Sequence, residues 1–170
     1  LIAPLTGASI LRDEKLKMVV NLRASYQMEI DKIVDSLVRN ARQKIAIIYQ
    51  DDAFGKDGLK SAESALKKHG LKPIATATVQ RNSAKIESAL QVLISSQPNA
   101  IIIISTYVSS AALSRELLKR DVNAQIMNVS FVGTRALEQS LPVGLANGIG
   151  VSQVVPFPWD RWIPVVADYQ

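Results

Sequence analysis

From Lys44 onward the chain alternates two textures. Compact apolar runs at 45–49, 74–79, 100–105, 126–129 and 149–155 predict strands. Between the first four lie positions repeating every three or four residues, as on one side of a helix. They are Leu59, Ala62, Leu66 and His69, then Ile86, Leu90, Leu93 and Gln97, then Ala111, Ser114, Leu117 and Leu118. Ser83 is the expected N-cap of the second of these helices, and Gly70 the expected stop of the first.

Short strands alternating with helices of three or four turns predict βαβ units and a parallel sheet. The run Ala100 to Ile104 carries no polar alternation, as expected when helices cover both faces of the sheet. Right-handed crossovers follow from strand twist. The expected fold class is therefore α/β, a doubly wound parallel sheet.

The first 43 residues differ in texture. Residues 1–3 and 18–22 have strand character, with the polar Arg12-Asp13-Glu14-Lys15 between them. A helix is expected over 26–42, with Ile30, Ile33, Val34, Leu37 and Val38 as its apolar side. Two strands and one helix cannot close a core alone, so they extend the main sheet or belong to a neighbouring lobe. After Val155, Pro156-Phe157-Pro158-Trp159 breaks the pattern and reads as a crossing, and another helix begins over 163–170. With no initiating Met and an end inside that helix, the sequence reads as a piece of a longer protein.

Composition narrows the function. A length of 170 residues suits one domain or parts of two small lobes, and 48% hydrophobic with 21% charged residues is ordinary for a soluble globular chain. No apolar run approaches the roughly 20 residues of a membrane-spanning helix, and Leu1-Ile2-Ala3-Pro4 lacks the pattern of a signal peptide. The net charge of +5 comes from scattered Lys and Arg, the densest pair being Lys67-Lys68 one turn after Glu63. A solvated basic surface is expected, not a nucleic-acid stripe. Without cysteine there are no disulfides, thiol nucleophiles or thiolate-held metals, and the compartment stays open.

Catalytic chemistry is sparse. His69, the single histidine, sits at a predicted helix end with no nucleophile arranged around it, where a helix C-terminal cation is the simpler role. The acids are isolated apart from Asp51-Asp52, so no metal site is expected. Gly55-Lys56-Asp57-Gly58 stands where a phosphate loop would but lacks the spacing of a Walker loop or dinucleotide fingerprint, and reads as a tight turn with helix-opening charges. There is no Gly-x-Ser-x-Gly elbow. The expectation is a protein without enzymatic activity or cofactor.

Ligands of open α/β sheets sit beyond the carboxyl ends of the strands. Those ends carry Gln50-Asp51-Asp52-Ala53-Phe54, then Thr106-Tyr107, then Ser130-Phe131-Val132-Gly133. Aromatic walls with hydroxyls and an acid suit a small polar ligand.

At this point the chain resembles the type I periplasmic binding proteins of the branched-chain amino acid and amide receptor group. KIAIIYQDDAFGKDG at 44–58 resembles the strand and Asp-rich turn that open the second lobe there. Ile2-Ala3-Pro4-Leu5-Thr6-Gly7-Ala8-Ser9 resembles a ligand-contacting turn of the first lobe, and Asn21-Leu22-Arg23-Ala24-Ser25-Tyr26 the approach to the helix before the inter-lobe crossing. NVSFVG at 128–133 and VSQVVP at 151–156 follow in the family's order.

The resemblance implies two lobes closing on a ligand: residues 1–43 as the end of the first lobe, 44–154 as the second, and 155–170 as the return crossing and the start of a first-lobe helix. It implies that Thr6, Gly7 and Ala8 address an anionic end of the ligand, that Phe54, Tyr107 and Phe131 wall it, and that Asp51 or Ser130 meets the opposite, amine-like end. Amino-acid receptors of the group often carry an acid after the fourth strand. Ser130-Phe131 stands there in this chain, which leaves amide or carboxylate ligands open beside amino acids.

An exported, periplasmic or extracellular solute receptor serving an ABC transporter permease is the implied function. The alternatives are the sensor domain of a membrane receptor and a doubly wound enzyme. Apolar surface left open where a first lobe would pack can drive self-association.

Overall fold

A computed structural model describes residues 1–170. In chain order its elements are α1 (Tyr26–Arg39), β1 (Ile45–Gln50), α2 (Ala53–Lys68), β2 (Ala75–Val79), α3 (Glu87–Ser96), β3 (Ala100–Ile104), α4 (Tyr107–Lys119), β4 (Gln125–Asn128), α5 (Thr134–Gln139), β5 (Gly150–Val151) and α6 (Pro164–Tyr169). Isoleucines explain the centre. The chain from Ile45 to Ile48 and from Ala100 to Ile104 is inaccessible to solvent on both faces. Branching at Cβ suits these side chains to a pleated surface, and the period of two sends them alternately into two cores.

Ile45, Ile47, Ile102 and Ile104 join Ile30, Ile33 and Val34 of α1 and Ala62 and Leu66 of α2 on one face. Ala46, Ile48, Ile101 and Ile103 join Leu90 and Leu93 of α3 and Leu113 and Leu117 of α4 on the other. The sheet runs β2-β1-β3-β4-β5, parallel throughout. The chain thus leaves β1 toward one edge and β3 toward the other. The reversal between these neighbours opens a crevice at their carboxyl ends, where doubly wound folds bind ligands.

Helix ends follow local chemistry. The Ser25 hydroxyl accepts from Met28 N–H at 3.1 Å to start α1, and Asp52 accepts from Gly55 N–H at 3.0 Å to start α2. Gly70 stops α2 as expected. It lies at φ +69°, with Gly70 N–H on Lys67 C=O and Leu71 N–H on Leu66 C=O, both at 3.0 Å, the double bond of a Schellman stop.

Several expectations are corrected. Ser83 does not cap α3: the helix starts at Glu87 without a side-chain cap, and the Ser83 hydroxyl instead accepts from Lys85 N–H in a local turn. The helix α1 ends at Arg39, short of residue 42, because Ala41 turns left-handed at φ +57°. Residues 1–3 and 18–22 form no strands, only one parallel bridge between Ile2 and Val20, while Ser9–Arg12 makes a 3-10 turn. The run 149–155 pairs only through Gly150–Val151. Ser152 N–H still reaches Asn128 C=O at 2.9 Å, after which the chain leaves the sheet edge. A 3-10 turn at Ser130–Val132 and α5 fill the stretch after β4, where no helix was expected.

The Gly55-Lys56-Asp57-Gly58 segment lies inside α2, not in a turn. A Cβ on Gly55 would come 1.9 Å from Gln50 O, and one on Gly58 2.6 Å from Ile104 Cγ2. These glycines let α2 lie close against the ends of β1 and β3.

Large apolar side chains stay exposed at both chain ends, among them Ile2 at 78%, Leu22 at 76%, Trp159 at 71% and Trp162 at 96%.

Gly55→Ala is expected to destabilise the chain by about 3 kcal/mol, since backbone and not a flexible side chain must move. Gly70→Ala, in open space, should cost only the left-handed penalty of about 1–2 kcal/mol. Urea unfolding of the two variants checks this order.

Candidate functional site

The turn Thr6-Gly7-Ala8 is fastened to the start of α1. Gly7 C=O accepts from Tyr26 N–H at 3.0 Å, Ala8 N–H donates to Thr6 Oγ1 at 3.1 Å, and the Thr6 and Tyr26 hydroxyls lie 3.0 Å apart. Gly7 is buried, and a Cβ there would come 2.9 Å from Ala24 O and Tyr26 N. One residue on, Ser9 clasps α2: its N–H and hydroxyl donate to the two Asp57 carboxylate oxygens at 2.8 and 2.6 Å. Residues 48 apart in sequence are thereby joined.

Tyr26, Phe54 and Phe131 form one aromatic cluster, with centroid separations of 5.1 Å (Tyr26–Phe54), 4.7 Å (Phe54–Phe131) and 6.5 Å (Tyr26–Phe131). The ring of Phe54 faces a cavity of about 450 Å³ shared with Thr6, Ala8, Lys56, Asp57 and Lys60. A second chamber of about 440 Å³, without apolar residues, shares Ser9, Asp57 and Lys60 and adds Arg12.

Behind the aromatic cluster lies a buried carboxylate. Glu29 is 4% exposed. Its Oε2 accepts from Ser130 N–H at 2.9 Å and from the Ser152 hydroxyl at 2.8 Å, while Oε1 stands 3.7 Å from Arg23 Nη2. The same guanidinium nitrogen donates to the Ser130 hydroxyl. One side chain of α1 thus gathers the segment before α1, the end of β4 and the end of β5.

Thr6, Ala8 and Phe54 therefore meet on one cavity, and Phe131 packs against Phe54. Gly7 shapes the turn. Ser130 is engaged by Arg23 and Glu29, and Asp51 pairs with Lys56 at 3.3 Å on the exposed rim. Tyr107 opens α4, 41% exposed, outside the aromatic cluster. His69 Nε2 lies 2.8 Å from a carboxylate oxygen of Asp35 in α1, a link between helices remote from the cavity.

Sequence reading missed Arg23, Tyr26, Glu29, Asp57 and Ser152 as a set. Glu29 had a local signal: it falls three residues after Tyr26 and four before Ile33, inside the apolar side of α1. A charge in that stripe requires a buried partner. The Ser9–Asp57 clasp had no local signal.

A cavity lined by hydroxyl and aromatic side chains where α2 leaves β1 suits a ligand-binding α/β lobe. The chain belongs to the periplasmic binding protein family, whose family model matches residues 3–169.

A possible leucine/isoleucine/valine-binding protein from Rhodopirellula baltica SH 1 is 36% identical, with a TM-score of 0.89 over 99% of this chain and 47% of its own. A substrate-binding periplasmic protein from Ralstonia solanacearum is 31% identical, with a TM-score of 0.87 over 99% and 47%. A branched-chain amino acid ABC transporter protein from Thermus thermophilus, solved with bound valine, shares the fold at 14% identity and a TM-score of 0.74, over 82% of this chain and 37% of its own. The chain spans about half the length of the first two, 47% of each. No curated protein sequence matches it.

Glu29→Ala is expected to cost about 3 kcal/mol, because the half-buried Arg23 guanidinium and the Ser130 N–H lose their acceptor together. The Arg23→Ala/Glu29→Ala double variant should lose less than the sum of the singles, with a coupling of about 1–2 kcal/mol. A double-mutant cycle in urea measures it.

Proposed function

We propose that the chain forms the second lobe and part of the first lobe of an extracytoplasmic solute receptor. The receptor clamps a small polar ligand (an amino acid, amide or carboxylate) and hands it to the membrane permease of an ABC transporter. Residues 1–43 and 155–170 belong to the first lobe in this reading, and 44–154 form the second.

The observation that carries the reading is the meeting of the Thr6-Gly7-Ala8 turn with Phe54 across one cavity. In this reading a first-lobe turn and the opening of the second lobe line the same space. Thr6 and Ala8 then face the anionic end of the ligand, with Gly7 shaping their turn. Phe54 supplies apolar wall with Phe131 packed against it, while Tyr107, Asp51 and Ser130 lie outside the lining of this cavity.

Binding acts by population shift: a ligand touching both lobes favours the closed arrangement by the difference of its contacts in the two states. Membership in a family of binding proteins supports a role without turnover. The matched proteins named as periplasmic or substrate-binding support an extracytoplasmic site of action. No helix is long and apolar enough to cross a membrane.

A thermal-shift screen of amino acids, amides, short carboxylates and aromatic acids tests the function. One class should raise Tm in proportion to the logarithm of its concentration, with about 2.7 kcal/mol of stabilisation at a hundred times Kd. Phe54→Ala should abolish most of that shift while the protein stays folded. A folded protein with no shift for any class would sink the receptor reading.

A further inference from the structure

We infer that the Ser9–Asp57 pair is a latch: it holds residues 1–22 against α2 over the cavity beside Phe54, and they swing away when it breaks. That the cavity takes a ligand rests on the receptor reading above; the latch itself does not. Residues 1–22 are tied together as one body. The Leu1 amino group donates to Met18 C=O, Ala3 N–H to Val20 C=O and the Asn21 amide to Leu11 C=O, each at 2.8 Å. Only Gly7 of these residues is buried, and none joins an apolar cluster.

Beyond residue 25 this body is hydrogen-bonded at two places only. The Thr6 hydroxyl and Gly7 C=O meet Tyr26, beside the chain's own passage into α1. Ser9 alone reaches farther, with its N–H and hydroxyl on the two Asp57 oxygens. No ion pair links residues 1–22 to the remainder. The first attachment is a pivot, because residues 23–26 are anchored: Arg23 meets Ser130 and Glu29, and Ser25 caps α1. The second is a catch, since Ser9 and Asp57 line the same cavity as Phe54. Arg12, Lys56 and Lys60 line the chambers around Asp57 without an ion pair to it, so its carboxylate is left to Ser9. Two hydrogen bonds to a carboxylate open to water favour closure yet can be exchanged for water. With so little apolar contact behind them, they decide whether the body stays on α2.

Pulsed electron paramagnetic resonance on the purified protein tests the latch, since the sequence has no cysteine to compete for labels. Spin labels at Met18→Cys and Ser64→Cys, exposed positions on the two bodies and outside both chambers, report their separation. With the clasp intact one narrow distance is expected. Asp57→Ala, which keeps a helix former in α2, should raise the ratio of a longer distance to the short one roughly tenfold. Ser9→Ala retains the N–H and should raise it less. Glu63→Ala, the same loss of charge on the same helix, should leave it unchanged. For a ligand found in the thermal-shift screen, Asp57→Ala should speed dissociation about tenfold without slowing association.

Distances in Asp57→Ala and Ser9→Ala that match the unsubstituted protein overturn the latch and leave the receptor reading standing. So does an equal lengthening in Glu63→Ala, or ligand dissociation indifferent to Asp57→Ala. Distances that lengthen as expected in a protein that binds nothing from the screen sustain the latch and end the receptor reading.

Discussion

A single buried carboxylate organises the region around the candidate site. Glu29 lies on the buried side of α1 with Tyr26, Ile30 and Ile33, and takes hydrogen bonds from the residues that follow β4 and β5 while facing Arg23. An ion pair removed from water adds little net stability, because desolvation offsets the Coulomb attraction. Its contribution is registry. Apolar packing would tolerate small slides of α1 over the sheet edge, whereas a carboxylate shared between Ser130 N–H and the Ser152 hydroxyl fixes both strand ends to one point. Phe131, next to Ser130, is thereby set against Phe54, and Tyr26, one turn before Ile30, against both.

That registry works only because the sheet beneath it is stiff. The centre is built from β-branched residues inaccessible on both faces, and α2 approaches so closely that glycine is required at positions 55 and 58. Dense interiors transmit displacement instead of absorbing it. Asp52 and Phe54 sit at the point where α2 leaves β1, so the aromatic wall inherits its position from the tight approach of Gly55 to Gln50.

The parts of this arrangement that could be read from sequence are those fixed by short-range pattern. β1 and β3 were legible because burial on both faces leaves an uninterrupted apolar run, and the stop at Gly70 because a left-handed residue after a helix favours glycine. The run 149–155 has the same apolar texture but lies at the sheet edge, where apolar residues can pack without pairing, so only two of its residues joined the ladder. Ser83 carried a capping residue's chemistry and used it in a turn. At the site, Phe54 and Phe131 were visible as aromatic residues after strands, but the third ring, Tyr26, was not. It reaches them by tertiary packing of α1, and the Ser9–Asp57 clasp spans 48 residues with no periodicity to announce it.

The way the first 25 residues are attached differs from the way the rest is packed. Their links to the sheet and its helices are largely polar: Ser9 with Asp57, Arg23 with Ser130 and Glu29, and Gly7 with the backbone of Tyr26. Their large side chains, Ile2, Leu5, Ile10 and Leu22, face outward. A hydrogen bond exchanged for one to water changes free energy by only about 1 kcal/mol, whereas opening an apolar core exposes far more. Motion between this segment and the lobe behind it therefore meets its lowest resistance along the polar seam that borders the cavity. Thr6 and Phe54, on the two sides of that seam, line the same cavity.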